Sequence, residues 1–504
     1  MKDVLTVIMA GGRGQRLMPL TQDRSKPAVP IGGVYRLIDI PLSNCINSQL
    51  YKIIVFPQYK SQSLTDHLEE GWNIFSSALG HYLKIAAPQQ RMGTDWYRGT
   101  ADSVRQNYYL IEREHPRHVL ILSGDHLYKM DYSQFRVYHE EHDADVTVGL
   151  LEVDRSQGSE FGIAGVDNDF RIREWEEKPR EPRAIPDDPD RCLASMGIYL
   201  FKTQVLLDLL TKTDYEDFGR DIIPTLIQEM KVQAYPYRRL NKIRDYIYTV
   251  DTDGVRRLKL VDGTRDSQYW RDVGTLDSYW NANMDLTGVD PFFNLYGSLW
   301  PIRTFQRQFP PAKFVFNQPE ARPARVGMAL DSLVGPGCIV SGGIVRSSVL
   351  GYNVMVRSWA EVDESVVMDH VEIGRSCRIK KAIIDKHNLW ECRHAAPIAA
   401  LASTSDGRTL VVLSDGRVDE PHAADGPRLK LELGHPPHVI ARSPDRWCIA
   451  AGSLDGRLSV LNAAGELRRF FIPGAVITAV AISVDGRTIV AGDQAGRVRV
   501  FRFR

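Results

Sequence analysis

Leu333, Ile339 and Val345 are each separated by six residues, as are Leu350, Val356 and Val362, and then Val367, Ile373 and Ile379. Each triplet restarts about 17 residues after the previous one, and Ile384 opens a fourth. Rungs this short present one aliphatic apiece, which can be buried only if coil stacks on coil. The pattern predicts a parallel β-helix with three rungs per coil over residues 326–388. A β-sandwich, the alternative, would not hold this register through three coils.

On either side the period is different. From Val4 to about Gly288, short apolar runs (VLTVIMA, KIIVF, HVLILSGD, DVTVGLLEV, GIYLF) alternate with longer amphipathic stretches such as LTDHLEEGWNIF and SVRQNYYLIERE. Strand–helix alternation predicts an α/β domain over residues 1–288, with ligands at the carboxyl ends of its parallel strands. Residues 289–325, rich in Pro, Phe and Trp, read as a connector packed on that domain. From Leu389, strand-like runs end in Asp-Gly or its variants, with first turns at Asp406, Asp445 and Asp485 and second turns at Asp415, Asp455 and Ala495. Both series advance by about 40 residues, the period of a WD-like β-propeller blade. Asp-Gly between apolar strands predicts tight type I′ hairpins. Residues 389–504 hold about three blades, whereas closed propellers have four to eight, so the expectation is a partial propeller.

Lys+Arg and Asp+Glu both number 63 in the 504 residues, which leaves no basic footprint for nucleic acid or anionic lipid. Six scattered cysteines (Cys45, Cys192, Cys338, Cys377, Cys392, Cys448) point away from a disulfide framework or zinc site and towards a reducing cytoplasm. No apolar run approaches the ~20 residues of a membrane span. The opening MKDVLTVIMAGG superficially resembles a signal peptide, but Asp3, Arg13 and Arg16 favour a buried first strand.

That strand runs into Ala10-Gly11-Gly12-Arg13-Gly14-Gln15-Arg16-Leu17. Glycines let backbone N–H groups close on phosphate oxygens, and Arg13 and Arg16 add charge suited to a triphosphate. A P-loop is excluded because no Gly-Lys-Ser/Thr follows, and a dinucleotide fingerprint because its third glycine would be Leu17. A plain strand–helix turn is the alternative. Lys26, in KPAVP, lies near enough in sequence to neutralise phosphate charge in a transition state.

AGGRGQRL followed by KPAVPIGGVYRLIDIPLSNCINS resembles the opening of the bacterial glucose-1-phosphate adenylyltransferases (ADP-glucose pyrophosphorylases). The likeness continues through QQRMGTDWYRGTADSV, LSGDHLYKMDY, FGIAGVD, EWEEKP, SMGIYLF, DFGRDIIP, YWRDVGTLDSYWNANMDL, WPIRT and PPAKF as far as AIIDKHN, about the first 388 residues. It implies a Rossmann-like mixed sheet and a left-handed β-helix. The implied reaction is attack of glucose 1-phosphate on the α-phosphorus of ATP, with release of pyrophosphate. Arg16 and Lys26 are then expected on the triphosphate, Gly11, Gly12 and Gln58 towards the nucleotide, and Asp125 and Asp272 on Mg²⁺, whose preferred ligands are oxygens. Lys178 is expected on the sugar phosphate, Glu177 on a glucose hydroxyl, and Tyr97, Gly162 and Ser195 on the sugar nucleotide. A homotetramer is also implied. The appended blades lie beyond the resemblance, and four readings of them stand: a cap on the open β-helix end, a pairing element for the blades of a neighbouring subunit, a surface that recruits a protein partner, or a gene-model artefact that does not fold.

Three departures stand out. Asp23 occupies a place where family members often carry a cation for an activator, although Arg24 and Arg36 remain candidates for an anion site. The stretch from Asn241 to Gln268 is longer than a compact version and is expected to form a surface excursion. After Asn388 the usual closing coil gives way to the blade-like sequence. Another sugar-1-phosphate nucleotidyltransferase and a catalytically silent scaffold are the competing functional readings.

Overall fold

The computed structural model describes residues 1–88, 96–250 and 252–386 and, beyond these, the short strand Leu389–Trp390, the strand segments of the second unit named below, and residues 453–456, 476 and 494–495. The chain divides into two units, Met1–Asn388 and Leu389–Arg504. No helix among the described residues is long and apolar enough to cross a membrane.

A nine-stranded mixed sheet organises the first unit. Val4–Ala10 lies at its centre, with Lys52–Pro57 and His118–Ser123 parallel on either side and Tyr82–Ile85 beyond Lys52–Pro57. Arg191–Lys202 runs antiparallel to His118–Ser123 and pairs with both Val146–Asp154 and Gly162–Val166. Val232–Pro236 and Ile172–Glu177 complete the two branches. Both faces of the central strand are covered. Val4, Ile8 and Ala10 enter one core and Leu5 and Val7 the other, which is why VLTVIMA reads as an unbroken apolar run. SVRQNYYLIERE forms two helices rather than one, Thr100–Arg105 and Tyr108–Glu114. At the break, the Asn107 amide donates to the Tyr97 hydroxyl and to the Ser103 carbonyl.

The excursion after Asn241 is a two-stranded ribbon, Arg244–Val250 against Arg256–Asp262. Its base is anchored by Asp245, which accepts hydrogen bonds from the Ser298 and Leu299 amides.

Three stacks of parallel strands follow, consistent with a hexapeptide β-helix. Their inward columns are Val334, Leu350, Val367 and Ile384; Val340, Val356 and Ile373; and Val345, Val362 and Ile379. The first coil corrects the expected register, since Val334 and Val340, not Leu333 and Ile339, occupy the columns. Its last corner is one residue shorter than in the following coil, and Gly342 turns it at φ +73°. Leu333 packs instead on the core of the α/β domain. The stack also begins earlier than 326, because Lys313–Val315 pairs in parallel with Ile339–Ser341.

The described residues of the second unit form three antiparallel sheets. Ile398–Ser403, Thr409–Leu413, Arg417–Asp419 and Leu431–Glu432 form the first; Val439–Arg442, Ile449–Gly452, Arg457–Leu461 and Leu467–Phe471 the second. Ile477–Ile482, Thr488–Asp493 and Val498–Arg502 form the third, which packs on the second through Leu458, Val460, Ile477 and Ile489. The expected type I′ turn at Asp455 is a four-residue loop in which only Gly456, at φ +85°, is left-handed, and the Asp455 carboxylate accepts from the Ser453 hydroxyl. The turns expected at Asp406, Asp415, Asp445 and Asp485 lie outside the described residues, as do Cys392 and Cys448. Among the described cysteines, Cys45, Cys192, Cys338 and Cys377 are free thiols.

Candidate active site

The glycine loop leaves the carboxyl end of Val4–Ala10, where the sheet opens. Gly14 is left-handed (φ +62°), and the Thr21 hydroxyl holds its carbonyl at 2.8 Å. A side chain at Gly14 would strike Thr21 and Lys26, so the backbone must be bare for Lys26 to reach past it. Gly12 faces open space, with no atom within 4 Å of where its Cβ would be. Gly11 is covered by Gln58, whose Cβ and Oε1 would each lie 3.1 Å from a Cβ there. The Gln58 amide in turn donates to the Tyr97 carbonyl at 3.0 Å. Gly11, Gln58 and Tyr97 therefore form one wall of the cleft.

The buried Lys26 ammonium lies 2.8 Å from Asp125 Oδ2 and 2.9 Å from Asp272 Oδ1. Two local features bring the carboxylates together across 147 positions of sequence. Asp125 follows the buried strand His118–Ser123, and the short strand His126–Tyr128 then pairs antiparallel with Trp270–Asp272, placing Asp272 opposite His126. Burial raises the Asp125 carboxyl, but the Lys26 ammonium, His126 and the Ser123 hydroxyl more than offset this and hold it well below the usual range. Burial also works against the charge on Lys26, and the two carboxylates overcome that cost and push its pKa up. Arg16 approaches the same point. A Cβ at Gly274 would meet Asp272 Oδ2 at 2.7 Å and the Arg16 guanidinium at 3.1 Å.

The second cluster gathers where Ile172–Glu177 pairs with Gly162–Val166, which sets Glu177 opposite Gly162. A Cβ at Gly162 would lie 2.7 Å from Glu177 Oε2 and 2.9 Å from the Trp175 ring, and one at Gly219 would lie 3.2 Å from Glu177 Oε2. Lys178 follows at φ +53°, and its amide donates to the Phe161 carbonyl. Among the described residues, no carboxylate lies within ion-pair distance of its ammonium. Burial, with Asp217 second, pushes the Glu177 carboxyl up. Asp217 itself accepts from the Gly219 and Arg220 amides and from the Thr100 hydroxyl. Ser195 Oγ lies 3.4 Å from the Tyr199 hydroxyl at a bulge in Arg191–Lys202. That bulge turns at Gly197, whose Cβ position is 3.6 Å from Ser123 and 3.8 Å from His126, so Ser195 lies between the two clusters. Edge-on contacts of Trp270 with His126 and Phe161 join them along the other side.

Asp217, Tyr199 and His126 were not singled out in the sequence reading. Each lies inside a block that was read (DFGRDIIP, SMGIYLF, LSGDHLY), and an isolated Asp or Tyr carries no spacing signal of its own. Arg24 and Arg36 lie outside the cleft. They line a separate pocket with Arg307 and Lys386, where Arg24 is already bound to both oxygens of Asp385 at 2.7 and 2.9 Å.

Residues 5–288 match the family model described as Nucleotidyl transferase, and residues 310–391 match the model described as GlmU-like, C-terminal hexapeptide. The chain is 50% identical over 392 residues to the glucose-1-phosphate adenylyltransferase of Rhodopirellula baltica, covering 77% of this chain and 83% of that one. It is 47% identical to the enzymes of that name from Koribacter versatilis and Methylococcus capsulatus, over 77% and 76% of this chain and 88% and 86% of theirs. With this level of likeness running through both the sheet that carries the cleft and the strand stacks behind it, the chain belongs to the glucose-1-phosphate adenylyltransferase family of nucleotidyl transferases.

Proposed function

We propose that this chain transfers the adenylyl group of ATP to α-D-glucose 1-phosphate, giving ADP-glucose, the glucosyl donor for glycogen-type α-glucans, and pyrophosphate. The observation that carries the reading is the Lys26 ammonium held between Asp125 and Asp272 beside the glycine loop. An oxygen of the sugar phosphate attacks the α-phosphorus in line, that P–O bond forms as the bond to pyrophosphate breaks, and no proton need be abstracted. The protein's work is therefore alignment and charge neutralisation. Backbone N–H groups of Gly11 to Gly14 and the Arg16 guanidinium receive the triphosphate. Lys26 is placed to stabilise charge gathering on the transferring phosphoryl group.

The donor set fits a divalent cation, since two carboxylate oxygens already converge on one cationic atom, the Lys26 nitrogen. Asp125 and Asp272 would hold Mg²⁺, which when bound neutralises phosphate charge. At the other end, Lys178 pairs with the sugar phosphate. Glu177 and Asp217 accept glucose hydroxyls, and Ser195 and Tyr199 line the path between the ends.

The three C-terminal sheets follow one another at about the period of WD-like blades, which supports reading them as a partial propeller that receives a protein partner. Assembly as a homotetramer in the cytoplasm completes the proposal. The test is Mg²⁺-dependent pyrophosphate release from ATP, UTP, GTP and dTTP with glucose 1-phosphate. Preference for ATP is expected. Preference for UTP or dTTP overturns the substrate, and silence with all four makes the chain a scaffold.

A further inference from the structure

The ribbon formed by Arg244–Val250 and Arg256–Asp262 joins no third strand among the described residues. A two-stranded ribbon is marginal in water unless a face is covered. One face is anchored at its base through Asp245. The register puts Tyr246 opposite Leu260 and Tyr248 opposite Leu258 on the other face, with Val250 opposite Arg256 at the tip and Arg244 opposite Asp262 at the base. That face is apolar and open, with Tyr246 41%, Tyr248 63%, Val250 70% and Leu258 54% exposed. Single exposed apolar residues are ordinary, whereas a contiguous stripe marks an interface.

We propose that this face is a two-fold contact between two copies of the chain. Its charges are self-complementary. The cation at the tip, Arg256, and the anion at the base, Asp262, lie on the same strand and face. A two-fold axis crossing the ribbon between the Tyr246/Leu260 and Tyr248/Leu258 rows reverses the strand direction. It sets Arg256 over the second copy's Asp262 and stacks the Tyr246/Leu260 row of each copy on the Tyr248/Leu258 row of the other. The Arg256 guanidinium already lies over Tyr248, 3.8 Å from its ring centre, where it covers rather than interrupts the apolar surface. Asp262 also faces Arg244 at 3.3 Å, an exposed pair that holds it only weakly. The apolar side chains amount to about 500 Å² per copy, so two copies bury about 1,000 Å², where specific interfaces begin. An isologous patch of this kind closes at two copies.

The contact is independent of the catalytic reading, and its test uses the full chain. Tyr248→Asp combined with Val250→Asp is expected to halve the mass measured by light scattering at micromolar concentration, with an unchanged far-ultraviolet circular dichroism spectrum as the check on folding. Arg256→Glu and Asp262→Arg singly are expected to weaken association about tenfold, and the double swap R256E/D262R to restore it. An unchanged mass in the Asp variant overturns the proposal, whether the face is bare or covered by another partner. Failure of the double swap to restore association overturns the two-fold geometry.

Discussion

The two ends of the cleft handle charge in opposite ways. At the nucleotide end, one ammonium is shared by two carboxylates before any ligand arrives. At the sugar end, burial and then the neighbouring Asp217 raise the Glu177 carboxyl, and the Lys178 and Arg220 charges only partly offset this. The first arrangement holds groups rigidly where a highly charged transition state will form. The second leaves the Glu177 carboxyl open to a hydroxyl group, while Asp217 beside it is held by the Gly219 and Arg220 amides and the Thr100 hydroxyl. Preorganisation serves the chemical step, and the open acceptor serves recognition.

The sharpest way to break this comparison is Lys26→Ala. It removes the group both carboxylates share, and we expect kcat at saturating substrates to fall about 10³-fold, roughly 4 kcal/mol of transition-state stabilisation. A loss below tenfold in pyrophosphate release would mean that the ion triad is structural. Next comes Lys178→Ala, which removes one charge-assisted contact worth ~1.5–3 kcal/mol. The KM for glucose 1-phosphate should rise roughly 10- to 100-fold while that for ATP stays within about twofold. If both constants move together, the two ends do not act separately.

The smallest effect is in stability, and it has opposite signs at the two ends. Asp125, held low, contributes stability that is complete above the ordinary aspartate value of about 4 and is lost as pH falls through its lower folded value. Glu177, held high, contributes only below the ordinary glutamate value of about 4.3, and that contribution is lost as pH rises through its raised value. At pH 7, without ligands, Asp125→Asn should therefore lower the melting temperature and Glu177→Gln should raise it by about 1 °C. Equal signs in calorimetry would show that the ends do not differ in this way.

Several elements were legible from local pattern. The runs VLTVIMA and HVLILS are strands because an aliphatic at every position suits a sheet covered on both faces. The six-residue period carried the later coils into register through Val356, Val362, Ile373 and Ile379. It failed in the first coil, where a corner shorter by one residue shifted the inward positions to Val334 and Val340. A period shows how often a side chain returns to the core, and it is blind to a single residue removed at a bend. No local pattern marks Asp217 or His126, because the residues that bring them into the site, Glu177 and Asp272 respectively, are remote in the chain.

By itself the sequence determined where the chain changes from alternating strands and helices to short coils and then to hairpin sheets, because periodicity is a local property of which side chains face inward. It also determined the phosphate-binding character of the opening loop, since glycine spacing and adjacent cations act within a few residues. Only the tertiary structure decided that Asp125 and Asp272 share one ammonium, that burial beside Asp217 raises Glu177, and that the 244–262 ribbon keeps an apolar face open. Such facts depend on distances of a few ångströms between residues remote in the chain. Strand pairing sets those distances, and no local pattern of residues encodes them.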